Sequence, residues 1–470
     1  MSAPIDSAAQ AQWAQRPIRQ RLRMMRPLRG LLATEGERLA EVTAEARRVD
    51  TAQVMASEVI PLAEAVKYLQ THAKGVLKPR RCGFFGKPLW LPHKRARVER
   101  VAKGTVLVIG PGNYPLFLAG SQILQALAAG NAVLIKPAPH CERPIEVFVE
   151  LLSRAGLPDG LCQILPTTAE AAQRAIAGGV DHVIFTGSET TGKQVAAQCA
   201  ETLTPCTLEL SGVDAAFVLA DADLDLVEAA LRFGLSINHG RTCVAPRRII
   251  AEPGKIAELR TRLSGLLTTD WPWPTSDALR LILRYHGGKV LCGEIDDEGT
   301  IVRYPIVIAG LDPSHPLAME DYFAPLALLF EADSPAHALE IDAQCPMALG
   351  ASVFTRTESK AAPFRRAGTV TVNDMIAPTV DPRVPFGGIG RSGYGTTRGP
   401  EGLLELTRPL VLTYSKSYGV PMHLRPVDEF ISKALPRLLE LGHGSARMRF
   451  AALKKLVQLG RDDRKSSQTK

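Results

Sequence analysis

A doubly wound α/β protein built on a parallel sheet is the fold class that this sequence predicts. The first observation behind it is a series of short apolar, β-rich runs after Lys103: Thr105–Ile109, Ala132–Ile135, Leu161–Leu165, His182–Phe185, Thr207–Leu210 and Ala216–Leu219. They are apolar throughout instead of at every second residue, the pattern of strands covered on both faces. The second observation is that helix-length segments separate them, as parallel connections require. In such a sheet a ligand binds at the C-terminal ends of the strands. Third, 470 residues with 46% hydrophobic and 22% charged side chains give an ordinary globular composition with room for about three structural units. That composition excludes disordered, collagen-like and disulfide-stapled classes, and no apolar run reaches the length of a membrane span.

The elements follow in order. Residues from about 8 to 78 are rich in Ala, Leu, Glu, Gln and Arg with apolar positions three and four apart, so they are expected to be helices outside the catalytic region. From Pro79 to Arg100, Gly83, Gly86, Pro88 and Pro92 interrupt Cys82, Phe84, Phe85, Leu89 and Trp90, which reads as an irregular strand pair or hairpin standing off the main body. A second α/β region runs from about Glu209 to Pro400 and ends in Gly- and Pro-rich loops. Leu410–Tyr414 then reads as a strand and Val427 to Gly460 as helices.

The formal charge is 56 − 48 = +8, and the tail from Pro421 to Lys470 supplies most of it, with eleven Lys/Arg against five Asp/Glu. The body is nearly neutral, and with no recognition motif in the chain a nucleic-acid partner is set aside. In the tail, Arg447, Arg449, Lys454 and Lys455 alternate with Met448, Phe450, Leu453, Leu456, Val457 and Leu459. That is a basic amphipathic helix, which a membrane surface could hold but which more commonly docks with a solvated face. The eight cysteines lack CxxC or Cys/His spacing, so no zinc site, other metal site or disulfide framework is expected. Reduced thiols in a cytoplasm are the default. Arginines at 16, 19, 21, 23 and 26 break up the apolar residues of the N-terminus, so export is not expected.

Several strand-end loops carry candidate chemistry. Gly110-Pro111-Gly112-Asn113-Tyr114-Pro115 follows the first strand, and its carboxamide can donate to a developing oxyanion, although these are also common turn residues. Lys136 ends the second strand, where an ammonium can bond cofactor hydroxyls or phosphate, or simply face solvent. Phe185-Thr186-Gly187-Ser188 leads into a helix whose N-terminal N–H groups suit a pyrophosphate; Ser188 would serve equally as an N-cap. The loop is neither GxGxxG nor GxxxxGKS. Glu209, in Thr207–Gly212, and Cys243, in Asn238-His239-Gly240-Arg241-Thr242-Cys243, are read together. A nucleophilic thiol needs thiolate character and exposure, and Cys243 lies on a polar connection beside Arg241, unlike Cys162 or Cys206 beside apolar strands.

In this conjunction the chain resembles the aldehyde dehydrogenase superfamily over about residues 103–415. The matching elements stand in family order: Asn113-Tyr114-Pro115, Gly130-Asn131 through Lys136-Pro137, Phe185-Thr186-Gly187-Ser188, Glu209-Leu210, Gly240 through Cys243, Phe323-Ala324-Pro325, and Pro385-Phe386-Gly387-Gly388 with Ser392-Gly393. The interval 243 − 209 = 34 matches too. The short N-terminus and the basic helical extension look most like the class 3 branch of fatty and aromatic aldehyde dehydrogenases. The resemblance implies NAD(P)-dependent oxidation of a hydrophobic aldehyde to its acid, with Cys243 as nucleophile, Glu209 activating the hydrolytic water and Asn113 holding the oxyanion. Lys136, Gly187, Ser188, Asp321 and Phe323 would contact NAD or NADP. It also implies a Rossmann-type cofactor domain (1–78 and 101–208), a catalytic domain (209–400), oligomerisation strands (79–100 and 401–420) pairing across a homodimer, and a basic helical extension (421–470).

The chain departs from the family pattern at several places. Gly112 replaces an aromatic, which is expected to widen the aldehyde side. Pro139 replaces a ribose-binding glutamate, leaving NAD and NADP both open. Asp321 stands for a glutamate one methylene longer, Ser211 for a glycine and Val213 for a lysine, and a deletion falls near Trp271 to Tyr285. Two other uses stay compatible with these residues: an acylating or ester-hydrolysing use of the same cysteine, and a degenerate scaffold with a binding or membrane-associated role.

Overall fold

The computed structural model describes residues 7–83, 85–88, 91, 94–266, 277–295, 301–415, 422–424 and 426–468. Phe84, Leu89, Trp90 and Pro92 of the hairpin, and residues 271–276 of the expected deletion, lie outside the described residues. The chain forms two compact units, Met1–Leu77 with Val101–Arg408, and Lys78–Arg100 with Pro409–Lys470.

In the first unit a six-stranded sheet runs in the order Gly393–Tyr394, Cys206–Leu210, His182–Gly187, Thr105–Ile109, Ala132–Lys136, Cys162–Ile164. All its pairings are parallel except Gly393–Tyr394, which runs antiparallel to Cys206–Leu210. The middles of its main strands are apolar at successive residues because each face has its own core. Val106 and Val108 pack with the helices Met25–Thr34 and Phe117–Ala129, whereas Leu107 and Ile109 pack with Ile176, Val195 and Cys199 on the opposite side.

A seven-stranded sheet follows, in the order Lys289–Ile295, Ile301–Ala309, Leu326–Glu331, Pro246–Ala251, Asp214–Val218, Gly350–Phe354, Thr369–Val372. Again one strand feeds two cores, with Ala215 and Phe217 in one and Ala216 and Val218 in the other. The strand bearing Glu209 belongs wholly to the first sheet, paired along its length with His182–Gly187. The passage from cofactor sheet to second sheet therefore falls in the Ser211–Val213 connection and not at 208/209, because a boundary there would cut a hydrogen-bonded strand.

The second unit holds a three-stranded sheet in the order Arg80–Cys82, Lys94–Ala102, Thr407–Ser415. Arg80 pairs antiparallel with Val98. The two stretches expected to be edge strands thus share one sheet within the chain, and Thr407–Ser415 remains an outer strand. Helices Glu429–His443 and Ala446–Gln468 complete the unit, the first capped by the Asp428 carboxylate accepting from Ile431 N–H at 2.8 Å. Among the described residues no helix is long and apolar enough to cross a membrane.

Candidate active site

Strand Thr105–Ile109 is flanked by the strand that follows it in sequence on one side and by His182–Gly187 on the other. Connections leave this point in opposite directions, and a crevice opens between the loops that follow. A cavity of ≈ 640 Å³ occupies it, and Asn113, Lys136, Gly187, Ser188, Glu209, Cys243, Asp321 and Phe323 all line that one space.

Cys243 is half-buried and follows a strained connection in which Asn238 and His239 adopt φ of 50° and 53°. Gly240, at φ 68°, is needed there, since a Cβ would meet Pro325 at 2.7 Å. Asn238 Nδ2 pins the loop by donating to the backbone oxygens of Asn113 and Arg241, each at 3.0 Å. The Tyr114 hydroxyl and Thr242 Oγ1 bond at 2.6 Å, tying the Asn113 loop to the Cys243 loop. Burial pushes the Cys243 thiol up to about 12, with Asp214 and Glu209 adding to the rise and Arg398 opposing it. This corrects the expectation of an acidic thiol: burial outweighs the polar loop. It is Cys206, away from the cavity, whose thiol is drawn down, by Cys199 and by Tyr394 at 3.0 Å.

The Asn113 carboxamide donates to the Arg241 carbonyl at 3.2 Å. Glu209 is 3% exposed, and its Oε2 accepts from Gln122 Nε2 at 3.2 Å and Thr186 Oγ1 at 3.0 Å. Its Oε1 accepts from the Thr397 hydroxyl. A carboxylate buried at a strand end is thus fully partnered, as burial demands.

On the cofactor side Lys136 donates to the Pro137 carbonyl at 3.2 Å, and burial lowers its ammonium. Ser188 caps helix Glu189–Glu201, accepting from Thr191 N–H at 3.3 Å. Gly187 leaves room for the Phe185 ring, which a Cβ would meet at 2.6 Å. Asp321 is committed internally: its Oδ1 accepts from Arg247 Nε at 3.1 Å and from Phe323 N–H at 2.8 Å. It holds the backbone of Phe323, which stands at φ 54°, from the wall of the cavity. Gly112 lines this cavity with Pro139 and not the aldehyde side. The expected widening is thus on the dinucleotide side, because the side chain missing at 112 would project toward Ala138, 3.5 Å from its Cβ.

A second cavity of ≈ 340 Å³ opens on the other side of the thiol, walled by Tyr114, Phe117, Phe233, Ile237 and Ile376. Cys243, Leu118 and Phe386 line both spaces. The N-terminal helices reach this region after all. Asn238 N–H donates to Gln53 Oε1 at 3.0 Å, and Glu58 Oε2 accepts from Leu116 and Phe117 N–H at 2.7 and 2.9 Å. Gln122, Thr397, Arg398 and Glu58 are the residues that the motifs did not single out. For Gln122 a signal existed: it is a polar side chain in a helix, Phe117–Ala129, that is otherwise almost wholly apolar.

A doubly wound sheet with a dinucleotide-sized crevice, and a cysteine at the junction of that crevice with an apolar pocket, define a nucleotide-dependent oxidoreductase of the two-sheet α/β class. Residues 4–269 and 281–411 match the model of the aldehyde dehydrogenase family. A 4,4'-diapolycopene aldehyde oxidase of Methylomonas sp is 30% identical over 416 residues, covering 85% of this chain and 78% of that protein. A provisionally named NADP(+) succinate-semialdehyde dehydrogenase of Mycobacterium ulcerans is 31% identical over 89% of this chain and 85% of its own. The crystal structure of a Mycobacterium tuberculosis aldehyde dehydrogenase complexed with NAD+ superposes with TM-score 0.77 at 26% identity, covering 87% of this chain and 88% of that one. The chain belongs to the aldehyde dehydrogenase family, and it is an NAD(P)-dependent oxidoreductase.

Proposed function

We propose that the chain oxidises a hydrophobic aliphatic or aromatic aldehyde to its carboxylic acid through a thioester on Cys243. The observation that carries this reading is the meeting of two unlike cavities at that one sulfur, one walled by apolar groups and one bordered by a lysine and a helix N-terminus. The cofactor side fits a dinucleotide: the first turn of helix Glu189–Glu201 presents N–H groups to it, and the Lys136 ammonium and Phe323 line it. Those groups would hold NAD or NADP, and bound dinucleotide supplies a hydride acceptor. Pro139 offers no carboxylate to repel a 2′-phosphate, so both forms fit.

Glu209 takes the thiol proton, and Cys243 Sγ adds to the carbonyl carbon. The oxygen then carries the negative charge, and the Asn113 N–H turns to it from the Arg241 carbonyl. Glu209 passes the thiol proton on to solvent, and once the carbon has lost its hydride the free carboxylate accepts a proton from water, whose oxygen attacks the thioester; the C–S bond breaks, the Cys243 thiolate takes the proton back from Glu209, and the acid leaves. Glu209 stays desolvated but anchored by Gln122, Thr186 and Thr397, so it can exchange protons without leaving its strand. The names of the two relatives point to unlike substrates, and the apolar walls around Cys243 favour the hydrophobic one. The basic C-terminal extension supports placing the chain nearest the class 3 branch. Its eight free cysteines suit a reducing cytoplasm.

The test is turnover of hydrophobic aldehydes by the purified chain with NAD or NADP, read as reduced dinucleotide. Cys243→Ala is expected to abolish it. Persistent turnover in that variant would remove the nucleophile, and acyl transfer to coenzyme A would favour the acylating use over hydrolysis.

A further inference from the structure

Cys199 and Cys206 lie outside both cavities, and the fold brings their thiols together. Helix Glu189–Glu201 ends in a tight turn. Thr204 N–H donates to the Cys199 carbonyl at 2.8 Å, and Leu203 takes φ 54°, where glycine is usual. The chain therefore doubles back, and Cys206, at the start of strand Cys206–Leu210, meets the last turn of the helix. The Cys199 thiol hydrogen-bonds Cys206 Sγ, and the Tyr394 hydroxyl stands 3.0 Å from the same sulfur. Cys199 is buried, whereas Cys206 is partly exposed. Two donors on one sulfur favour its thiolate. The Cys199 contact and then Tyr394 draw the Cys206 thiol down, while the shared bond and burial raise that of Cys199. Cys243 is the reverse case, a thiol held protonated by burial. An accessible thiolate backed by a second thiol is the arrangement in which a cysteine is oxidised and then resolved as a disulfide.

The same helix and strand flank the dinucleotide crevice. Thr191, Gln194, Val195 and Gln198 line it from the helix, and Glu209 and Leu210 from the strand. Gly192 rests on Leu210, whose Cδ2 a Cβ there would meet at 2.5 Å. Helix and strand thus touch at Gly192 with Leu210 and, near the far end, at Cys199 with Cys206. Ser188, at the helix N-terminus, lies beyond the Gly192 contact.

We propose that Cys199 and Cys206 form a peroxide-sensitive dithiol whose disulfide weakens dinucleotide binding. The Cys206 thiolate attacks the outer oxygen of a hydroperoxide; the O–O bond breaks, a sulfenic acid forms, and the remainder takes a proton and leaves as water or an alcohol. The Cys199 sulfur then attacks the Cys206 sulfur, the S–O bond breaks, and hydroxide leaves as water with the Cys199 proton. Two thiols are oxidised to one disulfide, and the hydroperoxide is the species reduced. The sulfurs close to about 2.05 Å, which draws the C-terminal end of the helix onto the strand. Gly192 on Leu210 is the fulcrum, so the first turn with Ser188 tips from its place beside the crevice. The role of Cys243 does not enter.

Both cysteines fall on one tryptic peptide, residues 194–232, which holds no other cysteine. In the full chain treated with hydrogen peroxide, that peptide is expected to lose two hydrogens and to resist iodoacetamide, and dithiothreitol should restore both thiols. Cys199→Ser should stall at a sulfenic acid on Cys206 that dimedone traps, and Cys206→Ser should form neither product. Cys206 should be consumed about tenfold faster than Cys243, or more. Titration with NAD and with NADP should give a Kd raised about tenfold in the oxidised wild-type chain, restored by dithiothreitol and unmoved by peroxide in Cys206→Ser. A peptide that keeps both thiols while Cys243 is oxidised, or a disulfide that leaves dinucleotide affinity unchanged, would overturn the proposal.

Discussion

At the scale of single residues the thiol of Cys243 sets the terms. Burial holds it up at about 12, and the Glu209 and Asp214 carboxylates push the same way. The thiol is therefore protonated at neutral pH in the free chain, and its thiolate fraction grows about tenfold per pH unit over the whole working range. Alkylation of Cys243 by iodoacetamide is expected to rise steadily with pH and show no plateau below about pH 10. Glu209→Gln separates two effects that point in opposite directions. Alkylation reports the equilibrium thiolate, which a nearby negative charge disfavours, so the variant should alkylate faster at a given pH. Turnover needs a proton acceptor, so the same variant should turn over more slowly, by about a hundredfold or more. A plateau near pH 7, or slower alkylation in Glu209→Gln, would show that charge repulsion does not govern this thiol.

At the scale of elements, the N-terminal helices hold the catalytic loops through one buried ion pair. Glu58 and Arg47 lie 2.8 Å apart with side chains 0% and 1% exposed, and Arg47 also stacks over Tyr114 at 4.5 Å. By accepting from Leu116 and Phe117 N–H, Glu58 fixes the start of helix Phe117–Ala129 and with it the Asn113 loop. Glu58→Gln leaves Arg47 uncompensated in the core and should cost about 3–5 kcal/mol of stability, read as a lower urea midpoint. Turnover should fall beyond what the unfolded fraction explains, because the loop carrying Asn113 is released; unchanged kcat in the folded variant would reduce Glu58 to a purely structural role. The contrast with the strands shows what was legible. Thr105–Ile109 and His182–Gly187 announce themselves because both faces are covered, which makes successive residues apolar at their middles, and Lys136 and Ser188 sit one step beyond such runs, with Asn113 in the loop that follows another. Glu58 could not be read: it lies on an ordinary helical pattern, and only tertiary folding brings it to Leu116. Arg398 was hidden too, since Thr396-Thr397-Arg398-Gly399 has the composition of an exposed turn. Burial of such a segment comes from the sheets around it, not from its own residues.

At the scale of the whole molecule, several apolar side chains are exposed among the described residues of the second unit. Leu439 is 65% exposed, Phe450 62% and Val411 60%. Thr407–Ser415 is an outer strand of the sheet among the described residues, the arrangement that invites pairing with another strand. We propose a homodimer formed through this unit, as the oligomerisation strands of the family resemblance imply. Sedimentation is then expected to give twice the 50.8 kDa mass of the chain. Val411→Glu combined with Tyr414→Glu places charge on that strand and should yield monomers that still bind dinucleotide, because the crevice is built wholly within the first unit. A wild-type monomer that sediments with anionic lipid vesicles would transfer the exposed face to a membrane, with Lys454 and Lys455 near the headgroups and Phe450 and Val457 below them. Salt dependence discriminates the two: headgroup attraction is screened as ionic strength rises, whereas apolar pairing between copies is not.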